Sequence, residues 1–420
     1  MKPRILLLFP SHSYRVDAFL EAAGRAGVDL CLGTDLPAAF ARLARPTVAV
    51  DFRAPERAAA EIVAAAGSAR FAGIVATDEN SAMVAAIASE ALGLPCSSAE
   101  GALAARDKRR MRRLLDEHGV PSPRHRVLGP EEDPATLAGD VRFPCVVKPP
   151  MLTGSQGVIR ADDAGELARA VARVRRILAG HGSDARAHDG FFDVIVEDYL
   201  PGREVAVEAL MTAGEMTPLA VFDKPDDLTG PFFEETIYTT PSRLSSEAQA
   251  DLLDVTARAA RALGLRHGPI HAELRTDGGR ASIVEIAARS IGGLCSRVFQ
   301  LVAGPLEDLL LAHAAGLPVA GGRAAGAAGA AGAAGVMMIP IPRNGVLRRV
   351  TGVEAARAVP GIDGVTIARA PGDAVRALPE GASYLGFVFA HGDGPEQVEA
   401  ALRASHAELR FEWAPLLSTW

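Results

Sequence analysis

Lysine is scarce in this chain: Lys2, Lys108, Lys148 and Lys224 are the only four among 44 Lys and Arg residues. Arginine carries nearly all the positive charge, so a lysine kept in the interior marks a place where a compact ammonium is wanted instead of a planar guanidinium fork. Cysteine is equally sparse. Cys31, Cys96, Cys145 and Cys295 lie far apart, mostly in apolar or small-residue runs, which excludes a disulfide framework and a zinc-ligand spacing and fits reduced thiols. Basic charge is not in excess. With a formal net charge of -7 and arginines scattered among acids, there is no electrostatic reason to expect nucleic acid, whereas small acidic ligands stay open. Long hydrophobic runs are missing too: the Ile5–Phe9 run is too short for a signal peptide and no stretch of about 18 apolar residues follows, so the expectation is a cytoplasmic protein without a membrane partner. No G-x-G-x-x-G follows the first apolar run and no glycine precedes a lysine, which excludes the dinucleotide fingerprint there and the Walker A loop anywhere.

What is present implies several domains. On a prior of roughly 100–200 residues per domain, 420 residues give two to four. The first hundred residues alternate short apolar runs with alanine-rich helical stretches: Arg4–Phe9, Val16–Ala26, Ala44–Val50, Pro55–Ala66 and Gly73–Ala76. That order predicts a parallel, Rossmann-like α/β domain over residues 1–105, with the loops Pro10–Arg15 and Thr77–Asn80 at the edge where such sheets bind ligands. Ser98–Gly119 reads as helical and carries the basic run Arg106–Arg113, ended by Gly119-Val120-Pro121. A solvated helix face is the ordinary reading of such a run. Residues 318–335 are dominated by alanine and glycine and predict a linker without catalytic content. Residues 336–420 alternate strand-like runs, as at Gly364–Ala368 and Leu385–Ala390, with a helix at Pro395–Ala404; this predicts a small closing α+β domain, to which no catalytic residue is assigned.

Chemistry concentrates between these ends. Phe143–Pro150 is a buried strand whose one charged residue is Lys148, followed by Thr153-Gly154-Ser155-Gln156-Gly157, a polar loop whose N–H groups can nest an anion. Asp163-Ala164-Gly165-Glu166 then reads as a capping box opening a helix to about Ala179. Phe192–Glu197 and Glu204–Met211 predict two strands joined by a Pro-Gly turn, with Glu197 and Glu204 flanking an apolar hinge suited to a flat base and ribose hydroxyls. His271-Ala272-Glu273 and Ser282–Arg289 predict neighbouring strands joined by Thr276–Gly279. Period two puts His271 with Glu273 on one face and Glu285, Ala287 and Arg289 on one face, with Val284 and Ile286 packed behind. Two converging glutamates suffice for magnesium, which takes one or two carboxylates plus waters and phosphates. Lys224, in Phe222-Asp223-Lys224-Pro225 ahead of Gly230–Glu235, falls in a segment too irregular for a strand, read either as a substrate-side loop or as a solvated one.

This succession, Asp107-Lys108, Lys148 with the glycine loop, Glu197-Asp198-Tyr199-Leu200 with Gly202-Arg203-Glu204, then Glu273 and Glu285, resembles the ATP-grasp superfamily over nearly the whole chain. The resemblance implies a small lobe at 106–200 with its linker helix and a large lobe carrying the metal site at 201–317. It implies ATP held by Lys108, Lys148, Ser155, Gln156, Gly157, Glu197, Tyr199, Leu200 and Glu204, and magnesium, with manganese as an option, held by Glu273 and Glu285. The Asn common two residues after the second metal Glu is here Ala287, and Glu285-Ile-Ala-Ala-Arg289-Ser-Ile-Gly292-Gly293 is most similar to the L-amino-acid ligase branch. There Arg289 binds a substrate carboxylate or acyl phosphate, Gly292 and Gly293 let backbone approach the substrate, and Lys224 and His271 join the catalytic set, His271 as acceptor of the amine proton or as a supporting hydrogen-bond partner. The implied activity is an ADP-forming carboxylate–amine ligase acting through an acyl phosphate on small-molecule substrates, with a homodimer compatible. A carboxylase of the biotin-dependent or purine-pathway kind and a catalytically inactive ATP-binding protein are the alternatives.

Overall fold

The computed structural model describes residues 2–11, 13, 15–36, 47–67, 70–137, 139–181, 189–318 and 332–416. The N-terminal segment forms β1 (Arg4–Leu8), β2 (Asp29–Thr34), β3 (Thr47–Ala49) and β4 (Gly73–Ala76), all parallel in the order β3-β2-β1-β4. Apolar runs this short, alternating with amphipathic helices, can bury both faces only as a parallel sheet covered by those helices. The strand order reverses between β1 and β4, and ligands collect beyond the strand ends at such a reversal. Residues 77–79 leave β4 there. The other expected loop differs in its job: Arg15 turns inward, pairs with Glu307 at 2.8 Å and donates to Ser290 Oγ, bracing the segment behind the cleft.

Ser98–Gly119 is not one helix. It breaks at Asp107, whose extended backbone separates the helices Ala99–Arg106 and Lys108–Glu117 and whose carboxylate caps the second. The break frees the Lys108 N–H to donate to Pro150 O at 3.0 Å, so the lysine enters the interior beside the next lobe. That lobe is a four-stranded sheet, β5 (His125–Leu128), β6 (Cys145–Lys148), β7 (Ile159–Ala161) and β8 (Val194–Asp198), in the order β5-β8-β6-β7. The helix Ala164–Ala179 covers it with Leu167, Ala170, Val171, Val174 and Leu178.

The second large element is an eight-stranded sheet in the order β13-β12-β9-β10-β11-β14-β18-β16. Its strands are β9 (Arg203–Thr212), β10 (Glu215–Asp223), β11 (Ile237–Thr240), β12 (Gly268–Thr276), β13 (Ala281–Ala287) and β14 (Ala333–Ile339). Beyond these, β15 (Gly345–Thr351), β16 (Ile362–Ile367), β17 (Ala374–Val375), β18 (Gly386–Gly392) and β19 (Arg410–Ala414) divide between this sheet and a three-stranded one, β17-β15-β19. The sequence reading is corrected here: Ala333–Gly335, taken as linker, begin β14, and the C-terminal strands extend the large sheet. Residues 319–331 of that linker lie outside the described residues. Alanine and glycine fit this strand because its flanks are close: a Cβ on Gly335 would stand 2.8 Å from Tyr238 O. One face of the large sheet shares a core with β1 through Phe222, Tyr238, Val336 and Phe387, while the other packs on the helix Ser246–Ala262. Among the described residues, no helix is long and apolar enough to cross a membrane.

Candidate active site

A cleft of about 340 Å³ opens where the small sheet, the large sheet and the end of β4 meet. Lys108, Lys148, Ser155, Glu197, Tyr199, Leu200, Glu204, His271, Glu273, Glu285, Arg289, Gly292 and Gly293 all line it. Lys224 stands at its wall through ion pairs to lining residues. Gln156 and Gly157 do not line it. The Gln156 amide donates to Glu380 O at 2.7 Å and the Gly157 N–H to Pro379 O at 2.9 Å, so this half of the loop is fastened to the C-terminal segment while Thr153, Gly154 and Ser155 face the cavity. Ser155 takes a left-handed backbone at φ 56, uncommon for a residue with a side chain, and Gly154 and Gly157 take it at 61 and 75.

The hinge end is built from β8 and β9. Glu197 is buried between Lys148 Nζ at 2.6 Å and Arg112 Nε at 2.7 Å. Burial alone would push its carboxyl up, but Arg112 and Lys148 hold it at about 2. Pro201-Gly202 turns tightly against β12, where a Cβ on Gly202 would meet Thr276 O at 2.3 Å, so glycine is required. Arg275, absent from the sequence reading, ties the hinge down by bonding Glu204 Oε2 at 2.8 Å and Leu200 O at 2.8 Å, beneath the Tyr199 ring.

Acids dominate the middle. Glu273 and Glu285 are direct partners across the β12–β13 ladder, and a bulge follows. The bulge corrects the expected alternation: Val284 is the extra residue and lines the cleft with Glu285, while Ile283 and Ile286 enter the core. Lys224 lies among Glu204 Oε1 at 2.8 Å, Glu273 Oε1 at 3.4 Å and Glu235 Oε1. Burial opposes its charge, yet these carboxylates keep it well above its ordinary range. Glu235 is pushed up to about 7 by burial and by neighbouring Glu273, against the pull of Lys224. Lys108 Nζ bonds Glu285 Oε1 at 3.2 Å and Leu152 O at 3.0 Å. Glu204, Glu235 and Glu273 bring ligand oxygens within 4.8 Å of one another, a group that could hold a metal ion, with Glu285 facing Glu273 across the ladder and Ala287 adding no donor.

His271 sits between Glu208 Oε2, 2.9 Å from Nδ1, and Glu273 Oε1, 3.4 Å from Nε2. Burial disfavours its charge, but Glu208 and Glu273 raise it to about 9. The two carboxylates favour the charged imidazole, whose Nδ1 is hydrogen-bonded to Glu208, an arrangement that suits the supporting role expected for His271. Arg289 pairs with Glu79 through Nε at 2.7 Å and donates Nη1 to Ser290 O at 2.9 Å. Sequence reasoning marked the Thr77–Asn80 loop without its role; the acid that meets Arg289 is only decided in three dimensions. Tyr238 of β11 also reaches the cleft, as do Met338, Tyr384 and Phe387 of the C-terminal segment, to which no catalytic residue was assigned.

Family models match three segments of the chain: an ATP-grasp domain at residues 141–298, an ATP-grasp N-terminal domain at 20–96, and an L-amino acid ligase C-terminal domain 2 at 337–414. An alanine–anticapsin ligase of Bacillus subtilis is 29% identical over 253 residues, 56% of this chain and 52% of that protein. A D-alanine–D-alanine ligase of Pseudomonas putida is 31% identical over 183 residues, 42% of this chain and 52% of that protein. The chain thus spans about half the length of these curated relatives. In fold it is similar to a crystal structure of an L-amino acid ligase from Bacillus licheniformis, with TM-score 0.78 and 24% identity over 98% of this chain and 99% of that one. A phosphoribosylglycinamide synthetase from Anaerococcus prevotii gives TM-score 0.70 at 15% identity, covering 99% of this chain and 100% of that one.

Proposed function

Because this chain belongs to the ATP-grasp superfamily, in its L-amino-acid ligase branch of carboxylate–amine ligases, we propose that it joins the carboxylate of one amino acid to the amine of another at the expense of ATP. The observation that carries this reading is the convergence of Lys108, Lys148, Glu273, Glu285 and Arg289 on one cleft, with Lys224 in its wall. Adenine lies at the Tyr199–Leu200 hinge, Glu204 takes ribose hydroxyls, and Lys108, Lys148 and Ser155 take phosphate oxygens. Glu273 and Glu285 hold magnesium, which supplies charge neutralisation of the phosphates when bound.

A substrate carboxylate oxygen attacks the γ-phosphorus, the bond from that phosphorus to the β–γ bridging oxygen breaks, and ADP leaves with the electron pair. The protein's part is alignment and electrostatics: Lys224 and Arg289 face the transferred group and the acyl oxygen, while the loop at 153–155 excludes water from the mixed anhydride. The second substrate's amine then attacks the acyl carbon, phosphate departs, and the phosphate oxygens take the amine proton. Protonated His271 holds Glu273 in place. The L-amino acid ligase match at 337–414 favours this reading over a carboxylase. The test is a matrix of amino-acid pairs with ATP and magnesium, scored by phosphate release and product mass. Lys148→Ala and Glu285→Ala are each expected to lower release at least about a hundredfold, and wild-type rates in either sink the site.

A further inference from the structure

The cleft is apolar at both ends and charged between them. A chain of contacts gives the order: the Tyr199 ring lies under Arg275, Arg275 bonds Glu204, Glu204 bonds Lys224, Lys224 bonds Glu235, and Glu235 accepts from Tyr238 Oη at 2.9 Å. A nucleotide fills the hinge end with its base and the charged middle with its phosphates. The far end, past Tyr238, is left over. Its lining is Tyr238, Ile291, Cys295, Met338, Tyr384 and Phe387. Met338 and Phe387 are direct cross-strand partners on β14 and β18, and the Tyr384 ring lies 6.3 Å from that of Phe387. Tyr238, Ile291, Cys295, Met338 and Phe387 belong to one apolar cluster, against which Tyr384 packs. The polar atoms at the mouth of this chamber are already engaged: Tyr238 Oη by Glu235, and Glu235 by Lys224.

Resting on the ligase reading above, we propose that this chamber selects an amino-acid substrate with a bulky apolar side chain, of the leucine, methionine or phenylalanine class. The side chain lies against the face formed by Met338 and Phe387 while its reacting group stays at Arg289 and Lys224. An acidic, basic or amide side chain loses its hydration on entry against a wall that is mostly apolar. Alanine leaves the chamber unfilled. One methylene in a hydrophobic pocket discriminates by about 10–200-fold, so kcat/KM for leucine in its preferred position should exceed that for alanine by at least about tenfold.

The experiment uses the full chain, ATP and magnesium with the complete matrix of amino-acid pairs, then repeats it with Met338→Trp and with Cys295→Met, which narrow the chamber to different extents. The expected result is that every productive pair contains at least one bulky apolar member. The narrowed variants should lower kcat/KM for the bulky member relative to smaller side chains by about tenfold or more. Fast release from pairs with only small or charged side chains overturns the chamber assignment and leaves the ligase reading standing. No release from any pair, with the wild-type chain shown by calorimetry to bind ATP, overturns both. Should Met338→Trp not fold, Cys295→Met and the wild-type matrix decide the outcome.

Discussion

His271 gains its raised proton affinity only in the folded chain, and this makes a pH-dependent contribution to stability. Its ordinary value is 6.5 and its folded value about 9. The stabilisation is therefore complete below about pH 6.5 and is lost as pH rises through about 9, amounting to on the order of 3 kcal/mol. Denaturant unfolding at pH 6, 7.5 and 9.5 should show His271→Gln losing the most stability relative to wild type at pH 6 and the least at pH 9.5. Glu197 works in the opposite direction. Held at about 2 against an ordinary 4.5, its contribution is present above about pH 4.5 and lost on acidification through about pH 2. Both effects come from partners brought together by the fold, Glu208 and Glu273 for the imidazole, Arg112 and Lys148 for the carboxylate.

At the scale of elements, the phosphate-facing loop is held from outside its own lobe. Besides the Gln156 and Gly157 bonds, Arg173 from the helix Ala164–Ala179 makes a two-pronged pair with Glu380, at 2.7 and 3.0 Å. Glu380 thereby fixes the C-terminal segment to which the loop is fastened. Glu380→Ala should raise the KM for ATP by on the order of tenfold and increase ATP hydrolysis without product, since a looser loop admits water. Glu380→Gln, which keeps one acceptor, should fall between. Equal ATP KM and equal coupling in all three proteins would remove the loop's anchorage from the mechanism. The sequence showed the loop through its glycines, but a contact to a segment more than 200 residues later leaves no local pattern.

Across the whole molecule, the cleft draws on the small sheet, which has its own core, and on the large sheet and β4 edge, which share one, so a nucleotide bound there would bridge the two cores. ATP with magnesium at about a hundred times its Kd should add about 2.7 kcal/mol of stability. Differential scanning fluorimetry should show a rise in Tm for wild type and a much smaller one for Lys148→Ala. A rise of the same size in both would mean that the nucleotide does not use this lysine.

The sequence by itself determined most of the elements, though not β2 at Asp29–Thr34, and the order of the charged segments along the chain. Parallel α/β units, the hinge acids and the two glutamates are written in periodicity and in rare charges inside apolar runs, because local burial sets both. It did not determine which charges neutralise one another, that Asp107 breaks the helix to deliver Lys108, or that a bulge turns Val284 into the cleft. Nor did it show that C-terminal strands complete the large sheet and roof one end of the site. These were decided by tertiary structure alone, since buried charges choose partners by distance in space and an apolar strand face carries no mark of which surface it will meet.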